Sequence, residues 1–113
     1  MELSHHITNN ICLISITGDI TKDESPSIQE DLLHLVEQKN YRGNIINLEN
    51  VSSIDSSGIG VIVSIFRACQ TKDTRLCLCQ LNKKVTNVFE LIELDKIIPM
   101  YPTEEKALAS FKE

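Results

Sequence analysis

Hydrophobic positions recur along this chain with two alternating periods, every second residue in some segments and every three to four in others, and that alternation predicts an α/β domain. Leu3 to Thr8 reads as a first strand, Asn9-Asn10 as a tight turn, and Ile11-Cys12-Leu13-Ile14-Ser15-Ile16 as a second strand ending at Gly18. Strands joined by so short a turn pair antiparallel. The helix that follows has two competing starts, a capping box at Thr21-Lys22-Asp23-Glu24 and a serine before proline at Ser25-Pro26. Because Pro26 inside a helix begun at Thr21 would remove a backbone hydrogen bond, a short turn is expected at the first and the main helix at the second. Ile28, Leu32, Leu35 and Val36 form its expected buried stripe. Ile45-Ile46-Asn47-Leu48 is nearly continuous in apolar residues, the pattern of a strand covered on both faces, and belongs at the sheet centre. A helix from Ser56, a strand from Leu76 to Leu81 and a helix from about Lys83 to Leu91 carrying Val85, Val88 and Phe89 come next. A short strand at Ile97 and Ile98 and a last helix capped by Thr103 complete the order ββαβαβαβα. The expected fold is a mixed sheet with an antiparallel first strand pair, helices packed on the sheet, and right-handed crossovers between the later strands.

With 113 residues, the chain fits one domain, residues 1–113, able to bury about two thirds of its unfolded surface without metal or disulfide staples. No apolar run approaches the roughly 20 residues that span a bilayer, and Met1-Glu2-Leu3-Ser4 lacks the basic start of a secretion signal. A cytoplasmic protein without direct membrane insertion is expected. The net charge of -5 argues against nucleic acid as a partner, since phosphate-backbone binding needs clustered Lys and Arg and the only basic pair is Lys83-Lys84. Cys12, Cys69, Cys77 and Cys79 contain neither a Cys-x-x-Cys redox pair nor a Cys/His zinc knuckle, so they are expected to be reduced core residues, with Cys77 and Cys79 on one face of a strand. No metal or other cofactor is expected.

The chemistry concentrates in Asn47-Leu48-Glu49-Asn50-Val51-Ser52-Ser53-Ile54-Asp55-Ser56-Ser57-Gly58-Ile59-Gly60, where a strand runs through a polar turn into a helix. A helix N-terminus has unpaired N–H groups and a partial positive charge, so Ser56 and Ser57 are candidates for a cap, a nucleophile or a phosphorylation switch. A dinucleotide loop would need a third glycine where Val63 stands, and no phosphate-binding Gly-Lys-Ser/Thr occurs. A hydrolase elbow would need glycine two residues before its serine, yet Ile54 and Asp55 occupy those places, and His5, His6 and His34 offer no local base. An enzyme is therefore not expected. At least one of Asp55, Ser56 and Ser57 is expected to cap the helix. Projection at about 100° per residue puts Ile59, Ile62, Val63, Phe66 and Cys69 on the core side and Ser57, Val61, Ser64 and Ala68 outside. That outer face is small and uncharged, with Arg67 at its margin, which suits close approach by another protein.

Asn47-Leu48-Glu49 followed by Ile54-Asp55-Ser56-Ser57-Gly58-Ile59-Gly60-Val61 resembles the phosphorylation segment of STAS-domain anti-sigma factor antagonists. Gly18-Asp19-Ile20, Val85 to Phe89 and Leu94-Asp95-Lys96-Ile97-Ile98 extend the resemblance over nearly the entire chain. It implies a single STAS-like domain and a non-enzymatic regulator. The unphosphorylated form would bind an anti-sigma factor that is also a serine kinase and so free a sigma factor. Phosphorylation would switch binding off, and a serine phosphatase would reverse it. The acceptor implied is Ser56, with Asp55, Ser57, Gly58, Gly60, Val61, Ser64 and Ala68 as the expected partner-binding residues and the two glycines permitting close backbone approach. The alternative on the same fold is a subunit of a lipid or anion transport complex, or a partner-switching regulator with a non-transcriptional output. The chain departs from the family pattern at Thr21, commonly acidic, and at Glu93, commonly a glycine near the end of the third helix.

Overall fold

Strands β1 (Glu2–Thr8) and β2 (Ile11–Thr17) are joined by Asn9 and Asn10, whose φ values of 49° and 61° are the left-handed pair that a two-residue primed turn requires. In the computed structural model, which describes residues 2–20, 22–38 and 40–111, the chain continues through α1 (Ser25–Gln38), β3 (Gly43–Asn50), α2 (Ser56–Thr71) and β4 (Arg75–Cys79). It ends with α3 (Lys83–Leu91), a 3-10 turn at Leu94–Lys96, β5 (Met100–Tyr101) and α4 (Glu104–Ala109). One sheet runs in the order β1-β2-β3-β4-β5, antiparallel between β1 and β2 and parallel from β2 onward. The expected element order and mixed sheet are thus observed, with β3 at the centre.

Alternate residues of a strand face opposite ways, and this sorts the core into two layers. On one face Cys12, Ile14, Ile16, Ile46, Leu48, Leu76 and Leu78 meet Ile28, Leu32 and Val36 of α1, Val61, Ile62, Ile65 and Cys69 of α2, and Val85 and Phe89 of α3. On the other, Ile11, Leu13, Ile45, Cys77 and Cys79 pack under Ala107 of α4 and Phe111. Cys77 and Cys79 therefore share a face, as their spacing predicts. All four cysteines are free and buried. Burial pushes the thiols of Cys12 and Cys69 up to about 11 and those of Cys77 and Cys79 up to about 12.

Helix α1 starts at Ser25, in accord with the Ser25-Pro26 signal, although the Ser25 hydroxyl donates back to the Lys22 carbonyl at 3.2 Å instead of capping an N–H. The competing box at Thr21 falls on a residue outside those described. Thr103 caps α4 as expected, accepting from the N–H of Lys106 at 3.1 Å. β3 is longer than its apolar run, from Gly43 to Asn50, and two further strand boundaries differ from the periodicity with a visible cause. β4 stops at Cys79, because Gln80 turns into the left-handed region (φ 57°) and leaves the ladder before Leu81. The last strand lies at Met100–Tyr101 and not at Ile97-Ile98. The N–H groups of Ile97 and Ile98 are both spent on the Leu94 carbonyl, at 3.0 and 2.8 Å, so this pair closes the 3-10 turn. Ile98 is buried while Ile97 is exposed. Pairing with β4 begins only at the next carbonyl, where Pro99 accepts from Leu78 at 2.9 Å.

Glu93 stands where the family pattern commonly has a glycine, and its backbone shows why glycine suits the position. It sits at φ 63°, ψ 23°, a left-handed geometry that glycine adopts freely and that costs other residues about 1–2 kcal/mol. Its ion pair with Lys96, 3.0 Å across an exposed surface, offsets little of this. Glycine there loses about 0.4–1 kcal/mol through the more flexible unfolded chain. Glu93→Gly is accordingly expected to stabilise the domain by about 0.5–1 kcal/mol, measured as a raised urea midpoint at unchanged m-value.

Candidate functional site

The serine turn lies at the carboxyl ends of the parallel strands, the edge of an open α/β sheet where binding sites collect. It is held from both sides. Asp19, in the loop after β2, accepts from the backbone N–H groups of Ser52 and Ser53 at 3.0 and 3.1 Å and from their hydroxyls at 2.9 to 3.1 Å. Asn82, before α3, donates to the carbonyls of Val51 and Ser52 at 3.3 and 3.0 Å while its side-chain oxygen accepts from Val85 N–H at 2.8 Å, capping α3. A single parallel bridge between Ile20 and Ile54 completes the frame. Three loops are thereby tied into one platform. Asp19 stands out in the sequence only through Gly18-Asp19-Ile20, and Asn82 belongs to no motif of the sequence.

The bonds from Ser53 N–H and the Ser52 hydroxyl stabilise the charged form of Asp19 and hold its carboxyl below the usual range. A carboxylate whose pKa is lowered by folding adds stability that is fully present above its unfolded value and is lost as pH falls through the folded one. Urea midpoints measured from about pH 6 down to pH 2 should therefore fall more steeply in the native chain than in Asp19→Asn, which has no charge to lose there.

Asp55 is the cap of α2: its backbone is extended (φ -109°, ψ -173°) and its carboxylate accepts from Gly58 N–H at 3.0 Å. That leaves Ser56 at the first helical position, exposed, with its hydroxyl bonded to no other described residue. Ser57 is half-buried. Gly58 is buried, and a Cβ there would stand 2.6 Å from Ile54 Cγ1 and 3.3 Å from Ile20 Cβ. Its role is to let the helix close onto the Ile20–Ile54 bridge, so the close backbone approach expected at this glycine is an internal one. Gly60 is exposed, and a Cβ there would meet nothing within 4 Å.

The helix is turned from the sequence projection by roughly a quarter of a revolution, at about 100° per residue. Val61, expected on the outer face, is 1% exposed and belongs to the core with Gly58, Ile62, Ile65 and Cys69. Ile59, Val63 and Phe66, expected at the core, are half-buried. Ser64 and Ala68 are half-buried as well. Lys72, one turn beyond Ala68 along the same row, donates to the carbonyls of Val36 and Glu37 at 3.2 and 2.9 Å, which turns this small, uncharged row toward α1. Its lack of charge therefore reflects helix packing. The outward stripe is Ser56, Gly60, Val63, Arg67 and Gln70.

A polar cluster borders the platform on the α4 side. The Asn47 amide donates to Gln80 Oε1 at 3.2 Å and to Glu104 Oε2 at 3.0 Å, and Gln80 Nε2 donates to Glu49 at 2.5 Å. His5 and His6 lie on β1 and His34 on α1, and none is hydrogen-bonded to Ser56. Among the described residues no helix is long and apolar enough to cross a membrane, and no group of three or more His, Cys, Asp or Glu is arranged to hold a metal ion.

Comparison with known proteins agrees with this architecture. The chain is 23% identical to the anti-sigma F factor antagonist of Paenibacillus polymyxa over 112 residues, 99% of this chain and 94% of that protein. An anti-sigma factor antagonist from Mycobacterium paratuberculosis superposes with a TM-score of 0.89 at 18% identity, over 99% of this chain and 94% of that one. The anti-sigma factor antagonist SpoIIAA superposes in its unphosphorylated form with a TM-score of 0.79 at 24% identity, over 95% and 93% of the two chains. In its phosphorylated form, described as a Bacillus cell fate determinant, the score is 0.75 at 22% identity, over 98% and 100%. The STAS domain family model matches residues 2–107, nearly the whole length, and the chain belongs to the STAS domain family.

Proposed function

We propose that the protein is an anti-sigma factor antagonist whose binding surface is the Ser56 platform and the outward stripe of α2. The observation that carries this is Ser56 itself: an exposed hydroxyl, bonded to no other described residue, at a helix start whose capping duty Asp55 has already taken. Its relatives of known name support the same reading. In the unphosphorylated state the platform binds an anti-sigma factor that is also a serine kinase, and the sigma factor is released. Phosphate on Ser56 ends the interaction, and a serine phosphatase restores it.

The two local effects of a phosphate oppose each other. It adds about -1.5 to -2 charges, which the helix N-terminus stabilises by roughly 0.3–1 kcal/mol and the Asp55 carboxylate repels. The fold is expected to change little, so the switch acts on the partner and not on the domain. Incubation with the cognate kinase and ATP should add one phosphate, which Ser56→Ala abolishes and Ser57→Ala leaves in place. Tandem mass spectrometry that puts the phosphate on Ser57, or on neither residue, would sink the assignment.

A further inference from the structure

The outer side of β1 is an open template. It is a sheet edge of seven residues in unbroken register with β2, from Glu2 opposite Thr17 to Thr8 opposite Ile11. Proteins usually blunt such an edge with proline, lysine, a bulge or a covering segment. Glu2-Leu3-Ser4-His5-His6-Ile7-Thr8 has no proline, lysine or bulge, and among the described residues no element lies on its outer side. On the α1 face of this edge the strand presents Leu3, His5 and Ile7, the last 44% exposed. Beside Leu3 an open groove of about 270 Å³ runs to α1, with Leu3 and Ile28 as its apolar floor and Asp23, Glu24, Asp31 and Ser27 around them.

We propose that this edge and groove receive an extended basic segment of a partner protein, added to the sheet as a sixth strand. Backbone pairing would supply affinity and alternate side chains specificity, the usual division in strand addition. Alternate residues of the added strand point to one face, so basic residues spaced two apart would reach the carboxylates while small apolar neighbours continue the sheet. A second copy of this chain is the wrong occupant. Its β1, Glu2-Leu3-Ser4-His5-His6-Ile7-Thr8, has no lysine or arginine to offer the groove's carboxylates and would add Glu2 to the negative charge of this edge. The site shares no residue with the Ser56 platform and stands or falls independently of it.

The test uses the full chain, isotope-labelled for NMR, and a blocked heptapeptide of alternating lysine and valine. Expected are shift changes and new hydrogen-exchange protection confined to Glu2–Thr8 and the start of α1. A glutamate–valine peptide should bind at least about tenfold more weakly, and the Asp23→Lys, Asp31→Lys double variant should lose about tenfold for the lysine peptide, a change of about 1.4 kcal/mol. A lysine–valine peptide methylated on alternate backbone nitrogens leaves the protein untouched and should not bind. Shifts that map to α2 or α3, equal binding of both peptides, undiminished binding of the methylated one, or no binding at millimolar concentration would each overturn the proposal. So would sedimentation of the free chain as a dimer through β1.

Discussion

Val61→Glu is expected to unfold the domain. The residue is 1% exposed at the interface of α2 with the sheet, so the substitution forfeits about 1.5–3 kcal/mol of apolar burial and adds an uncompensated buried charge, whose cost is about 3–5 kcal/mol. Against a total stability of about 5–15 kcal/mol, this removes most or all of it. Gly60→Glu, a single residue earlier, should be neutral or stabilising by about 0.5 kcal/mol, because the position is open and glycine is a poor helix residue. Thermal melts of the two variants side by side decide the helix orientation. Equal damage would place both positions in the core.

Stoichiometric phosphorylation of Ser56 is expected to lower affinity for the partner kinase at least a hundredfold, with melting temperature shifted by no more than a few degrees. A dianion centred in a protein interface must shed water without a partner of opposite charge, and about 2.7 kcal/mol of such cost is a hundredfold in binding. Ser56→Asp should reproduce only part of the loss, since a carboxylate has about one charge against nearly two, and Ser56→Ala should bind constitutively. Gly60→Glu should also weaken the complex, one turn along the outward stripe, while leaving the fold intact. Calorimetric titration of the four proteins checks the order. Normal affinity after complete phosphorylation would end the switch reading.

The strands and helix starts were legible because each rests on a local signal. Asn9-Asn10 demands a primed turn, Ser25-Pro26 a helix entry, and Ile45-Ile46-Asn47-Leu48 a doubly covered strand, and each is found where it was expected. The rotation of α2 was not legible. Apolar residues occupy positions 59, 61, 62, 63, 65 and 66, so several projections serve equally well, and the choice among them is made by packing: Gly58 against the Ile20–Ile54 bridge and the Lys72 side against α1. The final strand escaped for a related reason. Two residues have no period to read, whereas Ile97-Ile98 is the more apolar pair and was committed to a turn by Leu94, four residues before the second of them. Asn82 lay outside any periodic segment, and its link to Val51 and Ser52, about thirty residues away, belongs to the tertiary structure. The proposed acceptor role of Ser56 rests on family resemblance, whereas what the structure itself supplies is that Asp55 and not Ser56 caps the helix.

The four thiols have a practical consequence. Raised to about 11 or 12 by burial, they are protonated at neutral pH and shielded from reagents, so an alkylating probe can reach them only when the surrounding layer opens. Cys12 and Cys69 sit in the layer under α1, α2 and α3, and Cys77 and Cys79 in the layer under the six-residue α4. The molecule thus has a pair of native clocks, one on each side of its sheet, whose labelling rates report separately how often each covering lifts.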